Sequence, residues 1–191
     1  MTIEPLDMTV NSADFSEVTT ARSPGLHLSQ ILSDLNEVRG SRYPETDPHT
    51  RQLYFATGFI WEQLIRRVVR ETAIKAARGA LVRPGEFILD GIAMSPDAID
   101  TEDWAIEEYK STYSSSERGI ENGRFWHWIV QIKCYCWATG ARTARLRVWF
   151  VNGDCHGSGP QAKAWTFHFT DRDVEEAFRM VRNHARAKGW L

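Results

Sequence analysis

The order of the predicted elements indicates a mixed α/β fold around a small sheet. Patterns typical of helices and strands follow one another as helix, helix, strands, helix, strand pair and helix, without an internal repeat. Hydrophobic residues make up 42% of the 191-residue chain and eight residues are Trp, which is enough apolar material for a substantial core. We therefore expect one folded domain over residues 23–191, preceded by a flexible arm over residues 1–22 that is rich in Thr, Ser, Asp and Glu.

Charge and cysteine content narrow the class of protein. The formal net charge is -2, so a polyanionic partner would need a local basic patch. The three cysteines Cys134, Cys136 and Cys155 are few and odd in number, and residues 1–10 lack the basic start and apolar run of a signal peptide. No segment approaches the length of a membrane span. These observations predict a soluble, cytoplasmic protein with reduced cysteines.

Two helices are predicted before the first strand. The first is capped by Ser29 and stopped by Gly40. Its apolar positions recur at helical spacing and are Ile31, Leu32, Leu35 and Val38. A loop over residues 41–50 leads to the longest helix, over residues 51–77, which ends at Gly79. The wide apolar face of this helix consists of Leu53, Phe55, Ile60, Leu64, Ile65, Val68 and Val69.

Glu62 stands out within this apolar stretch, seven residues after Phe55 and seven before Val69. An unpaired carboxylate is costly to bury, so Glu62 must reach solvent or meet a cation. Gly58, one turn earlier, would let another element approach closely.

Two strands follow over residues 87–93 and 104–110. Because side chains alternate along a strand, Glu108 and Lys110 point to one face and Glu107 to the other. A carboxylate and an ammonium on one face, close to the upstream Asp97, form a site for a hard divalent cation.

This group of side chains suits metal-assisted phosphodiester hydrolysis. Asp97 and Glu108 would hold Mg²⁺ or Mn²⁺ through oxygen ligands, and Glu62 would complete the shell. Lys110 would orient or help to deprotonate the attacking water and would offset the charge that builds on the phosphate.

A polar loop over residues 111–122 is expected to be flexible and could close over substrate. It leads to a helix over residues 123–139, for which Gly140 is a suitable C-cap. One face of this helix carries Arg124, Trp128, Gln131 and Tyr135.

The chain closes with a predicted strand pair and a helix. A strand over residues 142–151 and a partner over residues 164–169 are joined through a turn signal at Asn152-Gly153-Asp154. Asp171 caps a final helix that runs to about residue 188. Its inward positions are Val174, Ala177, Phe178 and Val181.

Four short motifs carry a resemblance. In chain order they are Gly58-Phe59-Ile60-Trp61-Glu62, Ser95-Pro96-Asp97, Glu108-Tyr109-Lys110 and Gln131-Ile132-Lys133-Cys134-Tyr135. In this combination the sequence resembles the PD-(D/E)xK nuclease superfamily, specifically the branch of phage lambda exonuclease and the RecB nuclease domain. The resemblance spans roughly residues 26–150. It implies a restriction-endonuclease-like core, with a four-stranded mixed sheet flanked by helices, and a single nuclease domain.

The resemblance also implies roles for individual residues. The implied ligands of Mg²⁺ or Mn²⁺ are Glu62, Asp97 and Glu108. Lys110 is the implied catalytic lysine, and Gln131 and Tyr135 would contact DNA or orient the catalytic groups. The implied activity is that of a metal-dependent DNA nuclease, most like a phage-type recombination or repair exonuclease in a bacterial host cell.

The sequence also indicates which partners and which alternative functions to expect. Phosphate contacts are expected from Arg118, after the catalytic strand, and from Arg124 on the third helix. Either a second copy of the chain or a phage recombination protein could bind, and no membrane is expected. A noncatalytic nucleic-acid-binding or assembly protein and a structure-specific endonuclease stay open as alternatives.

Several patterns have a second interpretation. The Glu108-Tyr109-Lys110 pattern also occurs as a surface strand pair, and Gln131 and Tyr135 could be core and rim residues. A basic patch or a solvated strand face would each explain Arg142, Arg145 and Arg147. Trp126 and Trp128 could stack on unpaired bases or belong to the core.

Overall fold

The computed structural model describes residues 23–40, 47–75, 81–120 and 123–191, apart from the side chains of residues 48, 49 and 69–75. The helices are α1 (Leu28–Val38), α2 (Pro48–Lys75), α3 (Trp126–Thr139) and α4 (Asp171–Ala187). The strands are β1 (Leu26–His27), β2 (Leu81–Val82), β3 (Phe87–Leu89), β4 (Ile92–Met94), β5 (Ala98–Asp100), β6 (Ala105–Thr112), β7 (Thr143–Phe150) and β8 (Gln161–His168).

The strands form two mixed sheets. The larger has the order β2-β5-β6-β7-β8, in which β6 and β7 are parallel and the other neighbours are antiparallel. The smaller has the order β1-β4-β3, with β1 parallel to β4. The predicted mixed α/β fold with helices around a small mixed sheet is confirmed. A five-stranded sheet and a three-stranded sheet take the place of the four-stranded sheet that the resemblance implies.

The core lies between one face of the larger sheet and helices α1, α3 and α4. Strand β7 alternates strictly, and the side chains that it buries are Ala144, Leu146, Val148 and Phe150. Each fully buried Leu, Val or Phe side chain contributes about 1.5–3 kcal/mol through the hydrophobic effect. The inward face predicted for the final helix is confirmed, because Val174, Ala177, Phe178 and Val181 are all buried.

A tight turn divides the first predicted strand. Residues 87–93 form the two strands β3 and β4 of a hairpin rather than one strand. Its turn residues Asp90 and Gly91 have φ values of 50° and 77°. Asp-Gly accommodates this left-handed backbone, which matches the twist of a hairpin.

The segment around the third helix also differs from the prediction. Strand β6 continues to Thr112, and Ser116 is buried, where its hydroxyl donates to Gln161 at 2.8 Å and its backbone N–H to Gly153 O at 2.8 Å. The part of the predicted flexible loop that the structure describes is therefore anchored. Helix α3 begins at Trp126 instead of residue 123, and Gly140 is its C-cap as predicted, with φ 75°.

The wide apolar face predicted for the long helix is not buried. Five of its residues are exposed: Leu53, Phe55, Ile60, Leu64 and Val68. Among the α2 side chains that are described, the buried apolar ones are Ala56 and Trp61. Trp61 packs against Trp149 of β7, with ring centroids 5.5 Å apart. Helix α2 therefore covers part of the sheet face opposite the core, and its apolar stripe is wider than the surface it contacts.

Other predicted features concern the ends of elements. The residue preceding α1 is His27, so Ser29 lies inside the helix and does not cap it. The predicted arm over residues 1–22 and the predicted helix end at Gly79 lie outside the described residues. No helix in the described part of the chain is long and apolar enough to cross a membrane.

Thr170→Ala is expected to destabilise the protein by about 1 kcal/mol, the typical cost of removing an N-cap side chain. The Thr170 hydroxyl accepts from the backbone N–H of Asp173 at 3.2 Å, and Asp173 Oδ2 accepts from the backbone N–H of Thr170 at 3.0 Å, which completes a capping box for α4. Urea unfolding followed by circular dichroism measures the difference. Thr166→Ala, at an exposed position of β8, is the control, and an equal loss in both variants would contradict the prediction.

The same capping box predicts a pH dependence. Hydrogen bonds from Thr170 lower the pKa of Asp173 to about 2, below its ordinary value of 3.8. A group with a lowered pKa stabilises the folded state above its unfolded pKa and loses that contribution as pH falls towards the folded value. The stability difference between wild type and Thr170→Ala should therefore shrink between about pH 4 and pH 2.

Candidate active site

A cavity of about 490 Å³ opens between helices α1, α2 and α3 and the strands β4 and β6. The residues selected from the sequence for chemistry all line it: Glu62, Asp97, Glu108, Lys110, Gln131 and Tyr135. They come from four separate parts of the chain, and the fold brings them to one place.

Strand β6 positions two of these side chains. Glu108 and Lys110 lie on the same face of the strand, and Lys110 Nζ is 2.6 Å from Glu108 Oε1. Glu108 is only 2% exposed, and its second oxygen, Oε2, is buried and has no hydrogen-bond partner among the described residues. Asp97 precedes β5, and its Oδ2 accepts from the backbone N–H of Tyr109 at 2.7 Å. One buried carboxylate oxygen is thus left unsatisfied beside a second carboxylate.

The electrostatics of this group are unbalanced. Burial raises the pKa of Asp97 well above its ordinary value, and the charge of Glu108 raises it further. Burial also raises the pKa of Glu108, although Lys110 opposes the shift. For Lys110, burial acts to lower the pKa, but the charges of Glu108 and Asp97 outweigh it and the pKa is raised. The cavity therefore concentrates more negative charge than Lys110 balances, a condition that favours a bound cation.

Glu62 approaches this group from α2 but is engaged elsewhere. Its Oε1 is 3.7 Å from Arg66 Nη1 and 3.9 Å from Arg83 Nη2. Among the described residues, no set of three or more His, Cys, Asp and Glu side chains is arranged to hold a metal ion. Asp97 and Glu108 could hold a divalent cation, because carboxylate oxygens are its preferred ligands and the unsatisfied Oε2 needs a partner. Glu62 would have to leave its two arginines to join them.

Glu107 has a different environment from Glu108. It points to the opposite sheet face, where its carboxylate accepts from Arg147 Nε at 2.8 Å and Nη2 at 3.1 Å. Arg145 Nη1 lies 3.6 Å from the same carboxylate and 3.2 Å from Asp100. The arginines on β7 are thus paired with carboxylates, which favours a structural role for them over a basic patch.

Gln131 and Tyr135 lie one turn apart on α3, above the carboxylates. Gln131 Nε2 donates to the Tyr135 hydroxyl at 2.7 Å. Burial raises the pKa of Tyr135, and the charge of Glu108 adds to the shift, so the hydroxyl stays protonated. The pair forms a neutral polar wall on the side of the cavity away from α2.

Solved structures with a similar fold are exonucleases. One is a phage-related exonuclease from Haemophilus somnus 129PT, with a TM-score of 0.54 and 12% identity over 83% of this chain and 79% of that chain. Another is an alkaline exonuclease from Laribacter hongkongensis in complex with dAMP, with a TM-score of 0.52 and 14% identity over 85% of this chain and 87% of that chain. The chain shares the fold of these two exonuclease structures, in agreement with the predicted restriction-endonuclease-like core. No protein-family model matches the sequence, and neither does any curated protein.

In this fold, the arginines expected to contact phosphate are not part of the cavity lining. Arg118 and Arg124 are both exposed, and Arg124 lies before the first residue of α3. The two tryptophans pack against protein: Trp126 donates to Asn36 at 3.2 Å, and Trp128 stacks on Phe125 with centroids 4.2 Å apart. These tryptophans therefore belong to the packing of α3 rather than to a base-stacking surface.

The fold also brings residues to the site that were not selected from the sequence. Arg66 follows Glu62 by four residues, a helical spacing that signals an ion pair, whereas the approach of Arg83 depends on tertiary structure. Tyr54 and Phe55 line the mouth of the cavity although the helix pattern assigned Phe55 to an apolar face. His127 is close enough to Lys110 that burial together with the lysine charge lowers its pKa to about 4.

Proposed function

We propose that this chain is a metal-dependent DNA nuclease that hydrolyses phosphodiester bonds, and that it acts as an exonuclease in phage-type recombination or repair. The observation that carries the proposal is the group of Asp97, Lys110 and the buried Glu108 in one cavity of a fold shared with exonucleases. The similar structures are named as exonucleases, which supports the choice of exonuclease over endonuclease.

Asp97 and Glu108 are the residues that would hold Mg²⁺ or Mn²⁺, with Glu62 as a third ligand once it leaves Arg66 and Arg83. A divalent cation held there supplies Lewis-acid polarisation of the scissile phosphate. Two carboxylates that share a cavity at the cost of desolvation fit the role of cation ligands.

The charge of Lys110 indicates its role in the proposed reaction. Because its pKa is raised, the ammonium stays protonated beside Glu108 at neutral pH. A protonated lysine cannot accept a proton, so its contribution is to attract the phosphate and to offset the negative charge that develops during attack. Gln131 and Tyr135, as neutral donors on the opposite wall, would orient the phosphate or the attacking water.

The purified protein is expected to degrade linear duplex DNA in the presence of Mg²⁺ or Mn²⁺ and to leave closed circular DNA intact. EDTA should stop the reaction, because two carboxylates repel the phosphate unless a bound cation offsets their charge. A time course with separate 5′ and 3′ end labels would show which end is attacked. Cleavage of the closed circle would indicate an endonuclease. DNA binding without cleavage, indifferent to EDTA, would favour the noncatalytic alternative.

A further inference from the structure

Two aromatic side chains of α2 at the cavity are largely exposed. Tyr54 and Phe55 both line the cavity, and they are 45% and 61% exposed. Tyr113, at the end of β6, lies against Tyr54 with ring centroids 4.7 Å apart and planes tilted by 44°. The Tyr113 hydroxyl is 3.2 Å from Thr57 Oγ1, which holds the second ring in place.

Phe55 differs from the tyrosines in its contacts. In the described part of the chain its ring makes no aromatic or cation–π contact, and most of the residue is exposed. An exposed phenyl ring costs solvation free energy unless a partner covers it. The same cavity contains Asp97, Glu108 and Lys110, so the partner expected to cover Phe55 is a part of the substrate of these residues.

We propose that Phe55 and Tyr54, with Tyr113 supporting Tyr54, form a stacking platform for an unpaired base of the nucleic-acid strand whose phosphate enters the cavity. The inference rests on the proposed nuclease function and names the substrate class of that site. Aromatic side chains stack on every base through its π-face, so the platform tolerates any sequence.

The platform predicts a preference for strands with free bases. A base inside an intact duplex is covered on both faces by its neighbours, and it must unstack before it can lie on Phe55. A DNA end with a single-stranded overhang, or a single strand, would therefore bind more tightly than a blunt duplex. A negatively charged backbone beside the base would face Lys110, the cation closest to the buried carboxylates.

Fluorescence of 2-aminopurine tests the platform without cleavage. An oligonucleotide that carries this base near one end is titrated with the protein in EDTA, and stacking on an aromatic ring quenches its emission. Phe55→Ala should weaken binding about tenfold and abolish the quenching, whereas Phe55→Trp should retain both. The matched control is Ile60→Ala on the same helix, because Ile60 is 58% exposed and does not line the cavity.

Each outcome decides one question. Equal affinity and equal quenching in Phe55→Ala and wild type would overturn the platform, as would an equal loss in Ile60→Ala. Absence of binding by the wild-type protein would also overturn it. If binding and quenching depend on Phe55 but wild type fails to cut DNA in Mg²⁺ and in Mn²⁺, the platform stands and the nuclease proposal fails.

Discussion

Lys110→Met should reduce metal-dependent DNA cleavage by at least about 10²-fold, because it removes the protonated ammonium that would offset charge on the phosphate. The methionine keeps the length of the aliphatic stem, so the cavity keeps its shape. Glu108 then lies without its 2.6 Å ion pair, and the cavity becomes more negative, which repels the substrate. Initial rates on end-labelled linear DNA at saturating Mg²⁺ measure the effect.

Lys133→Met is the matched control. Lys133 is as shielded as Lys110, with 24% and 21% of the side chain exposed, and it also pairs with a carboxylate, Asp173, at 3.4 Å. It does not line the cavity. The control should therefore cut DNA at the wild-type rate even if pairing with α4 is weakened. Full activity in Lys110→Met with an intact circular dichroism spectrum would refute the role of Lys110. Full activity in a folded Asp97→Ala variant would likewise refute the role of Asp97.

Strand periodicity is the part of the site that the sequence reveals most directly. Alternation alone separates Glu108 from Glu107, and the structure places the first in the cavity and the second against Arg147. The helical spacing of Gln131 and Tyr135 likewise predicts that they lie together, and their side chains are hydrogen-bonded at 2.7 Å. Local geometry of one element is enough in both cases, because the residues compared are one or four positions apart.

The sequence is less informative where one element meets another. The apolar stripe of α2 looks like a core-facing helix, yet Phe55 and Ile60 are exposed because the sheet covers only the side that carries Trp61. The pairing of Glu62 with Arg83 depends on the position of a distant segment and has no local signature. The hairpin turn at Asp90 is different, since Asp-Gly is a readable signal that the prediction of a single strand overlooked.

The neighbouring carboxylates Glu107 and Glu108 lie on opposite faces of β6 and have different environments. On one side Glu107 is fully satisfied by arginine, so its charge is compensated within the protein. On the other side Glu108 has one oxygen without a partner in the part of the chain that the structure describes, and it lies next to Asp97, so its charge is compensated only in part. Two buried carboxylates in adjacent positions thus provide an internal comparison between structural and chemical roles.

Glu108→Gln should lower Mg²⁺-dependent cleavage by about 10²- to 10³-fold, since a metal ligand supports several kcal/mol of transition-state stabilisation. It should also weaken Mn²⁺ binding measured by calorimetry without DNA, because an amide oxygen replaces a charged ligand next to Asp97. Its effect on folding should be small, since the change removes a buried charge that Lys110 balances only in part.

Glu107→Gln should show the reverse pattern. The substitution leaves Arg147 with weaker hydrogen bonds in a half-buried position and should cost about 1–3 kcal/mol of stability in urea unfolding. Cation binding and cleavage should stay at wild-type levels, because the Glu107 side chain lies on the far face of the sheet. The two glutamates are 1% and 2% exposed and adjacent in the chain, so burial cannot explain a difference between the variants. Loss of Mn²⁺ affinity in Glu107→Gln but not in Glu108→Gln would move the proposed metal site to the other face of β6.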